Sequence, residues 1–148
     1  MNDKKWLSNE DYDFIFDRVP RLCVDLVIKT ENGILLFLRD IEPCKGQWCL
    51  PGGMVYKDET IEDALHRILK KETGLKSREI RMLGYMEFLH EIQNGNDRHS
   101  VSIVFEIEPD MLDIKLDAQA SKFKVFTKIP ENMQAVHGEF LRQKGIFK

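Results

Sequence analysis

The sequence predicts an α/β fold in which a β-sheet lies between helices, an α/β/α sandwich. Three observations carry this: short apolar runs punctuated by turn signals in the middle of the chain, a sharply capped amphipathic helix at residues 60–73, and further helical segments near both ends. At 148 residues, with 43% apolar and 32% charged side chains, the chain fits a single domain spanning 1–148 with a core of its own. No internal repeat, low-complexity segment or Pro/Gly/Ser-rich linker divides it.

Taken in order, Ser8 followed three positions on by Asp11 marks the start of a short helix, with Tyr12, Ile15 and Phe16 on one side and Pro20 beyond its end. Residues 22–28 and 34–39 are apolar runs separated by Glu31-Asn32-Gly33, and they read as a buried β-hairpin. Strands are expected at 80–90, 99–108 and 122–126, with Asn94-Gly95-Asn96-Asp97 as a polar loop between the first two, and a last helix at 131–144.

The helix at 60–73 is the best marked element. Thr60 can cap it with Asp63 at the reciprocal position, and Gly74 supplies the left-handed stop. Ile61, Ala64, Leu65, Ile68 and Leu69 form one buried stripe at helical spacing, and Glu72, four residues after Ile68, continues it. A carboxylate there faces the interior and lies near the negative end of the helix dipole, a penalty of about 0.3–1 kcal/mol even when exposed. A cation should compensate it, either a divalent metal or an arginine. The Gly52-Gly53 loop just before the helix favours the metal, because glycine backbone can approach a phosphate or ligate an ion through a carbonyl. Arg67, five residues from Glu72, lies on a different face and should reach a carboxylate on another element. Glu59 either stabilises the helix dipole or supports the metal from its outer shell.

Composition narrows the function. The net charge of -3 and pI near 5.8 lack the basic field of nucleic-acid or membrane-surface binders, so a duplex or a bilayer is not an expected partner, whereas a small nucleotide is allowed. The charged N-terminus leads into no long apolar run, so neither signal peptide nor membrane span is expected and the location should be cytoplasmic. Cys23, Cys44 and Cys49 are odd in number and lack paired spacing, which argues for structural thiols over a disulfide framework or zinc site.

The stretch from Gly53 through Glu59 and Arg67 to Glu72-Thr73-Gly74-Leu75 resembles the Nudix box G-x5-E-x7-R-E-U-x-E-E-x-G-U, where U is aliphatic. Ile68 and Lys71 replace two of its glutamates, and Gln47-Trp48-Cys49-Leu50-Pro51-Gly52-Gly53 is similar to the W-x-L-P-G-G lead-in of the same family. The resemblance implies a Nudix-like α/β/α sandwich with a mixed β-sheet and hydrolysis of a nucleoside diphosphate linked to another moiety, with Mg2+ or Mn2+. Over most of the chain the similarity is to GDP-mannose mannosyl hydrolases, which tolerate the loss of box glutamates. That subfamily resemblance implies a metal held by Glu72, the Gly52 carbonyl and Gln119, with Gly53 and Glu59 in its outer shell, and attack at the sugar carbon. Three positions depart from the pattern: Ala120 replaces the family's histidine base, Met54 an arginine that contacts the diphosphate, and Ser100 a tyrosine.

Asp25 and Arg39 match family residues near the substrate. Asp25, inside an apolar strand, has either a substrate role or a structural hydrogen bond, and Arg39 is either a diphosphate clamp or a strand-end ion-pair partner. Activation of water by a side chain would fall to His90, Glu91, Asp97 or His99, with His90 first, because a histidine has the fitting unperturbed pKa of about 6.5. His66 falls opposite the Glu72 stripe, and His137 carries no supporting motif. The catalytic set expected is therefore Glu72, Arg67 and His90. The substrate expected is a small nucleotide derivative, a GDP-sugar being the class the subfamily resemblance implies, and a homodimer is open to such a chain. The alternative, prompted by Ile68, Lys71, Ala120 and Met54 together, is a non-catalytic nucleotide- or ligand-binding Nudix module.

Overall fold

The computed structural model describes residues 6–110 and 122–147. Among these, the strands are β1 (Arg21–Thr30), β2 (Gly33–Leu38), β3 (Trp48–Cys49), β4 (Gly52–Met54), β5 (Ser77–Gln93), β6 (Asn96–Pro109) and β7 (Phe123–Phe126). The helices are α1 (Asn9–Phe16), α2 (Ile61–Thr73) and α3 (Ala135–Gln143). The strands join in one sheet of order β3-β2-β1-β6-β5, with β4 also paired to β1 and β7 to β2. The β1–β6 pairing is parallel and the other named pairings are antiparallel, so the sheet is mixed.

Alternation along β1 sorts the core into two layers. Val24, Leu26 and Ile28 pack with Ala64, Leu65, Ile68 and Leu69 of α2, while Val27 packs on the opposite face with Phe140 and Leu141 of α3. The α2 stripe is buried as its spacing predicts. The Thr60 hydroxyl accepts from the Asp63 N–H at 3.0 Å, and Gly74 closes the helix at φ 72°. On α1, the Ser8 side chain accepts from the Asp11 N–H. Arg98, 1% exposed on β6, then ties this helix to the sheet through Asp13 and Asp17.

β1 changes partners along its length. Cys23, Val24 and Asp25 pair with Met54, Gly53 and Gly52 of β4, whereas Ile28, Lys29 and Thr30 pair with Leu35, Ile34 and Gly33 of β2. The sheet therefore forks beside Asp25. Neither β3 nor β4 is anticipated by periodicity, since segments of two and three residues are too short to carry a period.

β5 and β6 form a longer hairpin than expected. Gln93 pairs with Asn96, so the expected four-residue loop is a two-residue turn in which Asn94 and Gly95 take φ of 50° and 80°. A bulge interrupts β5 between Phe88, opposite Ser100, and Glu91, opposite Arg98. Three steps on β5 match two on β6, so Phe88 and Glu91 share a face, and His90 takes the left-handed φ of 56° within the extra residue. α3 starts later than expected because Gln134 is its N-cap and accepts from the His137 N–H at 2.9 Å. Among the described residues no helix is long and apolar enough to cross a membrane.

Replacing Thr60 with alanine should lower stability by about 1 kcal/mol, the usual cost of losing an N-cap. Equilibrium urea denaturation checks this, with a reduced midpoint and an unchanged slope expected.

Candidate active site

A cavity of about 260 Å³ opens where the sheet forks, on the face that carries α3. Its floor comes from Arg21, Cys23 and Asp25 of β1 with Gly52, Gly53 and Met54 of β4. Phe37 and Arg39 close one side, and Phe88 and Glu91 of β5 another. Tyr12 reaches in from α1, and Gln134 and His137 from the start of α3. Cys44, Cys49 and Leu50 complete the wall near α3.

Arg21 organises one end of this wall. It is 6% exposed, donates to Ser100 Oγ at 3.0 Å and to Tyr12 Oη and Gln93 Oε1 at 2.9 Å each, and pairs with Glu91. Its guanidinium thus satisfies a carboxylate that would otherwise be a buried unpaired charge. No motif marks Arg21 in the sequence. Its signal is only that of a cation opening an apolar strand.

Asp25 is set differently. Ser102 donates to Asp25 Oδ2, and Oδ1 lies 2.2 Å from where a Cβ on Gly52 would be, so position 52 has room for no side chain. Burial is the main cause that pushes the Asp25 carboxyl up to about 7, Glu91 adds to it, and the Ser102 hydrogen bond and Arg39 oppose it. Asp25 therefore has a structural hydrogen bond and also lines the cavity.

Arg39 lines the same cavity and donates through Nε to the Pro43 carbonyl at 2.6 Å and through Nη2 to that of Glu42 at 3.4 Å. Among the described residues it forms no ion pair, so its charge is not neutralised by a carboxylate at hydrogen-bond range. A cation held by two carbonyls on a cavity wall is suited to an anionic ligand.

The Glu59–Arg67 pair forms a separate brace. Arg67 donates through Nε to Glu59 Oε2 at 2.7 Å and through Nη2 to Glu59 Oε1 at 3.0 Å, and also to the Met54 carbonyl at 2.7 Å. Glu59 Oε1 accepts from the Tyr56 N–H at 3.0 Å, and the Arg67 guanidinium lies 3.9 Å from the Tyr56 ring centroid. Arg67 holds the Glu59 carboxyl below its ordinary range. The pair ties the loop between β4 and α2 to the helix and so positions the two glycines.

Glu72 is half-buried on α2 and is not on the cavity wall. The reason lies in β4, whose residues alternate: Gly52 turns to Asp25, while Gly53 turns to Ile68, whose Cδ1 would lie 3.3 Å from a Cβ there. Gly52 and Gly53 therefore connect the cavity face to the α2 face that bears Ile68 and, one turn on, Glu72. Gln119, the other expected ligand, lies outside the described residues, as does Ala120. Among the described residues no three His, Cys, Asp or Glu side chains form a metal-binding group. One carboxylate with a main-chain carbonyl nevertheless fits Mg2+, which commonly takes one or two carboxylates and leaves its remaining positions to water and substrate phosphates.

His90 is not brought to this cavity. The β5 bulge shifts the alternation by one, presenting Glu91 inward and leaving the His90 side chain 83% exposed, 2.9 Å from Asp97, which raises its pKa. It borders an adjoining depression with Leu89 and Ile92 instead. His66 is exposed, 3.6 Å from Glu62, and His99 is half-buried and off the cavity wall.

The residue that sequence reasoning passed over is His137. It is buried beside Leu50 and Phe88, and burial with the nearby Arg39 charge pushes its pKa down to about 3. The three cysteines, expected to be simple packing residues, all line the cavity. Burial raises all three thiols, Cys23 and Cys49 to about 12, so they form a neutral and weakly polar part of its wall.

Comparison with known proteins agrees with the geometry. A model of the NUDIX domain matches residues 19–143. The chain is 35% identical over 123 residues to the low-salt glycan biosynthesis protein Agl8 of Haloferax volcanii, covering 81% of this chain and 79% of that protein. It is also 35% identical over 114 residues to an ADP-ribose pyrophosphatase of Methanocaldococcus jannaschii, covering 76% and 66%. Among solved structures, a MutT protein from Methanosarcina mazei superposes with a TM-score of 0.71 at 24% identity over 86% of this chain and 95% of that one. The NUDIX domain of Shewanella oneidensis NrtR, complexed with ADP ribose, gives 0.63 at 22% over 93% and 99%.

The raised Asp25 pKa has a signed consequence for stability. The folded carboxyl titrates near 7 and the unfolded one near 3.8, so its contribution is fully present below about 3.8 and is lost as pH rises to about 7. Asp25→Asn removes this dependence. The stability of the variant relative to wild type should increase between pH 4 and 7 and level off above, measured by denaturant titration in metal-free buffer.

Proposed function

On the premise that this chain belongs to the Nudix hydrolase family, we propose that it hydrolyses a nucleoside diphosphate linked to another moiety, with a nucleotide sugar such as a GDP-sugar as the class best supported, and uses Mg2+ or Mn2+. The single observation that carries this reading is the cavity at the sheet fork, where Arg39 and Asp25 meet the Gly52-Gly53 segment that leads to α2. An arginine that has no carboxylate partner among the described residues suits a diphosphate. A buried carboxyl near neutrality suits a hydroxyl-bearing moiety, because it can accept or donate a hydrogen bond.

In this reading Glu72 and the Gly52 carbonyl hold the metal, with Gln119 as a further ligand. The metal, when bound, neutralises diphosphate charge and favours departure of the nucleotide. The residues of the chain supply the rest. Arg39 binds and orients the diphosphate, Asp25 fixes the moiety to be released, and the Glu59–Arg67 brace keeps the glycine segment in place. Phe37, Phe88 and Leu50 reduce water access around them. His90, outside the cavity, is left out of this scheme. The ADP-ribose pyrophosphatase among the relatives supports the nucleoside diphosphate class, and Agl8 supports a connection with glycans.

A panel of nucleoside diphosphate derivatives, including GDP-mannose and ADP-ribose, should show turnover that requires Mg2+ or Mn2+ and is abolished by EDTA. Glu72→Gln should lower kcat by at least about 100-fold, and Arg39→Ala should raise KM by at least about tenfold, the loss of one charge-assisted contact. Reaction in 18O-labelled water then distinguishes attack at carbon, which labels the sugar, from attack at phosphorus, which labels a phosphate. Saturable binding without metal-dependent product would instead favour the non-catalytic module.

A further inference from the structure

His137 is fixed from two sides. Its backbone N–H donates to the Gln134 side chain at 2.9 Å, and its Nδ1 accepts the Leu50 N–H at 3.0 Å. The Leu50 bond determines the tautomer, because a backbone N–H can only donate, so Nδ1 is unprotonated and the proton of the neutral ring is on Nε2. The Phe88 ring packs against the imidazole edge to face at a centroid distance of 5.4 Å. Among the described residues Nε2 has no hydrogen-bond partner, and the side chain forms part of the cavity wall. The result is one immobile, uncharged N–H donor at the α3 end of the cavity.

We propose that His137 is a specificity-determining residue, donating a hydrogen bond from Nε2 to an uncharged oxygen acceptor on the non-phosphate part of the ligand. The inference rests on the nucleoside diphosphate reading above and extends it to a residue that the Nudix box does not contain. Three features select an uncharged acceptor. The diphosphate is matched by Arg39, whose full charge binds anions better than a neutral imidazole does. His137 is buried against Leu50 and Phe88, which solvate charge poorly, and the nearby Arg39 guanidinium already offers an anion its partner. The low pKa of His137 keeps the ring neutral throughout the range in which such ligands are stable. A donor locked in an apolar wall also discriminates strongly, because a ligand lacking the acceptor leaves the N–H buried and unpaired.

The test combines binding with ring spectroscopy. An asparagine amide can keep the acceptor for Leu50 but does not reach the Nε2 position, whereas the glutamine amide nitrogen does. With GDP-mannose and ADP-ribose as probes, His137→Asn should weaken binding of the accepted probe at least about tenfold with kcat within about twofold, and His137→Gln should recover most of that loss. In wild-type protein with 15N-labelled histidine, the Nε2–H signal should be present without ligand and should shift on saturation, while Nδ1 stays unprotonated. The spectroscopic arm stands even if a variant fails to fold. Binding that leaves the Nε2–H signal unmoved, or an Asn variant that binds as wild type, overturns the role of His137 alone. Failure of wild type to bind either probe overturns the nucleoside diphosphate reading together with it.

Discussion

The close approach of Gly52 to the Asp25 carboxylate sets the geometry of the whole candidate site. β4 can pair with β1 at residues 23–25 only because position 52 carries no side chain, and that pairing diverts β1 from β2 until residue 28. The divergence opens the cavity and turns Asp25 towards it. It also leaves Gly53 against Ile68, so a three-residue strand joins the cavity-facing side of the sheet to the helix bearing Glu72. The Glu59–Arg67 pair then fastens this strand's far end, through the Met54 carbonyl.

Around this constraint the charges are arranged in two tiers. Arg21 is spent on structure, with its donors committed to Ser100, Tyr12, Gln93 and Glu91. Among the described residues Arg39 donates to two carbonyls, which orient a guanidinium without cancelling its charge. The two arginines share a cavity and have opposite relations to it, one closing a network and the other open to an anion. Burial of Asp25 next to Glu91 completes the contrast, since it makes a carboxylic acid of intermediate strength where an exposed aspartate would be fully ionised.

The sequence is most readable where a local rule has room to repeat. α2 has thirteen residues, a cap at Thr60, a stop at Gly74 and an apolar stripe, so its position and buried face follow directly. The hairpin of β1 and β2 follows from its Asn-Gly turn and apolar runs. The box residues locate the glycine segment, but not the pairing of Arg67 with Glu59, since spacing leaves the carboxylate that Arg67 reaches unspecified. What escapes is the product of long-range registration. β3 and β4 are too short to have a pattern, Arg21 acquires partners 70 to 79 positions along the chain, and His137 is defined by a Leu50 N–H far away in sequence. His90 is named for its pKa alone, and nothing in the residues around it announces the extra step in β5 that turns it outward.

That extra step makes the distal hairpin a phase-shifted extension of the sheet. On either side of it, odd and even positions exchange their meanings: Phe88 points inward before the bulge and Glu91 after it. Straightening the strand at its present length would turn His90 inward and carry the Glu91 carboxylate away from Arg21, whereas loss of the extra residue would leave Glu91 two steps from Phe88 on the same face. The bulge, more than the residue types around it, thus decides whether a histidine or a carboxylate of β5 faces the cavity.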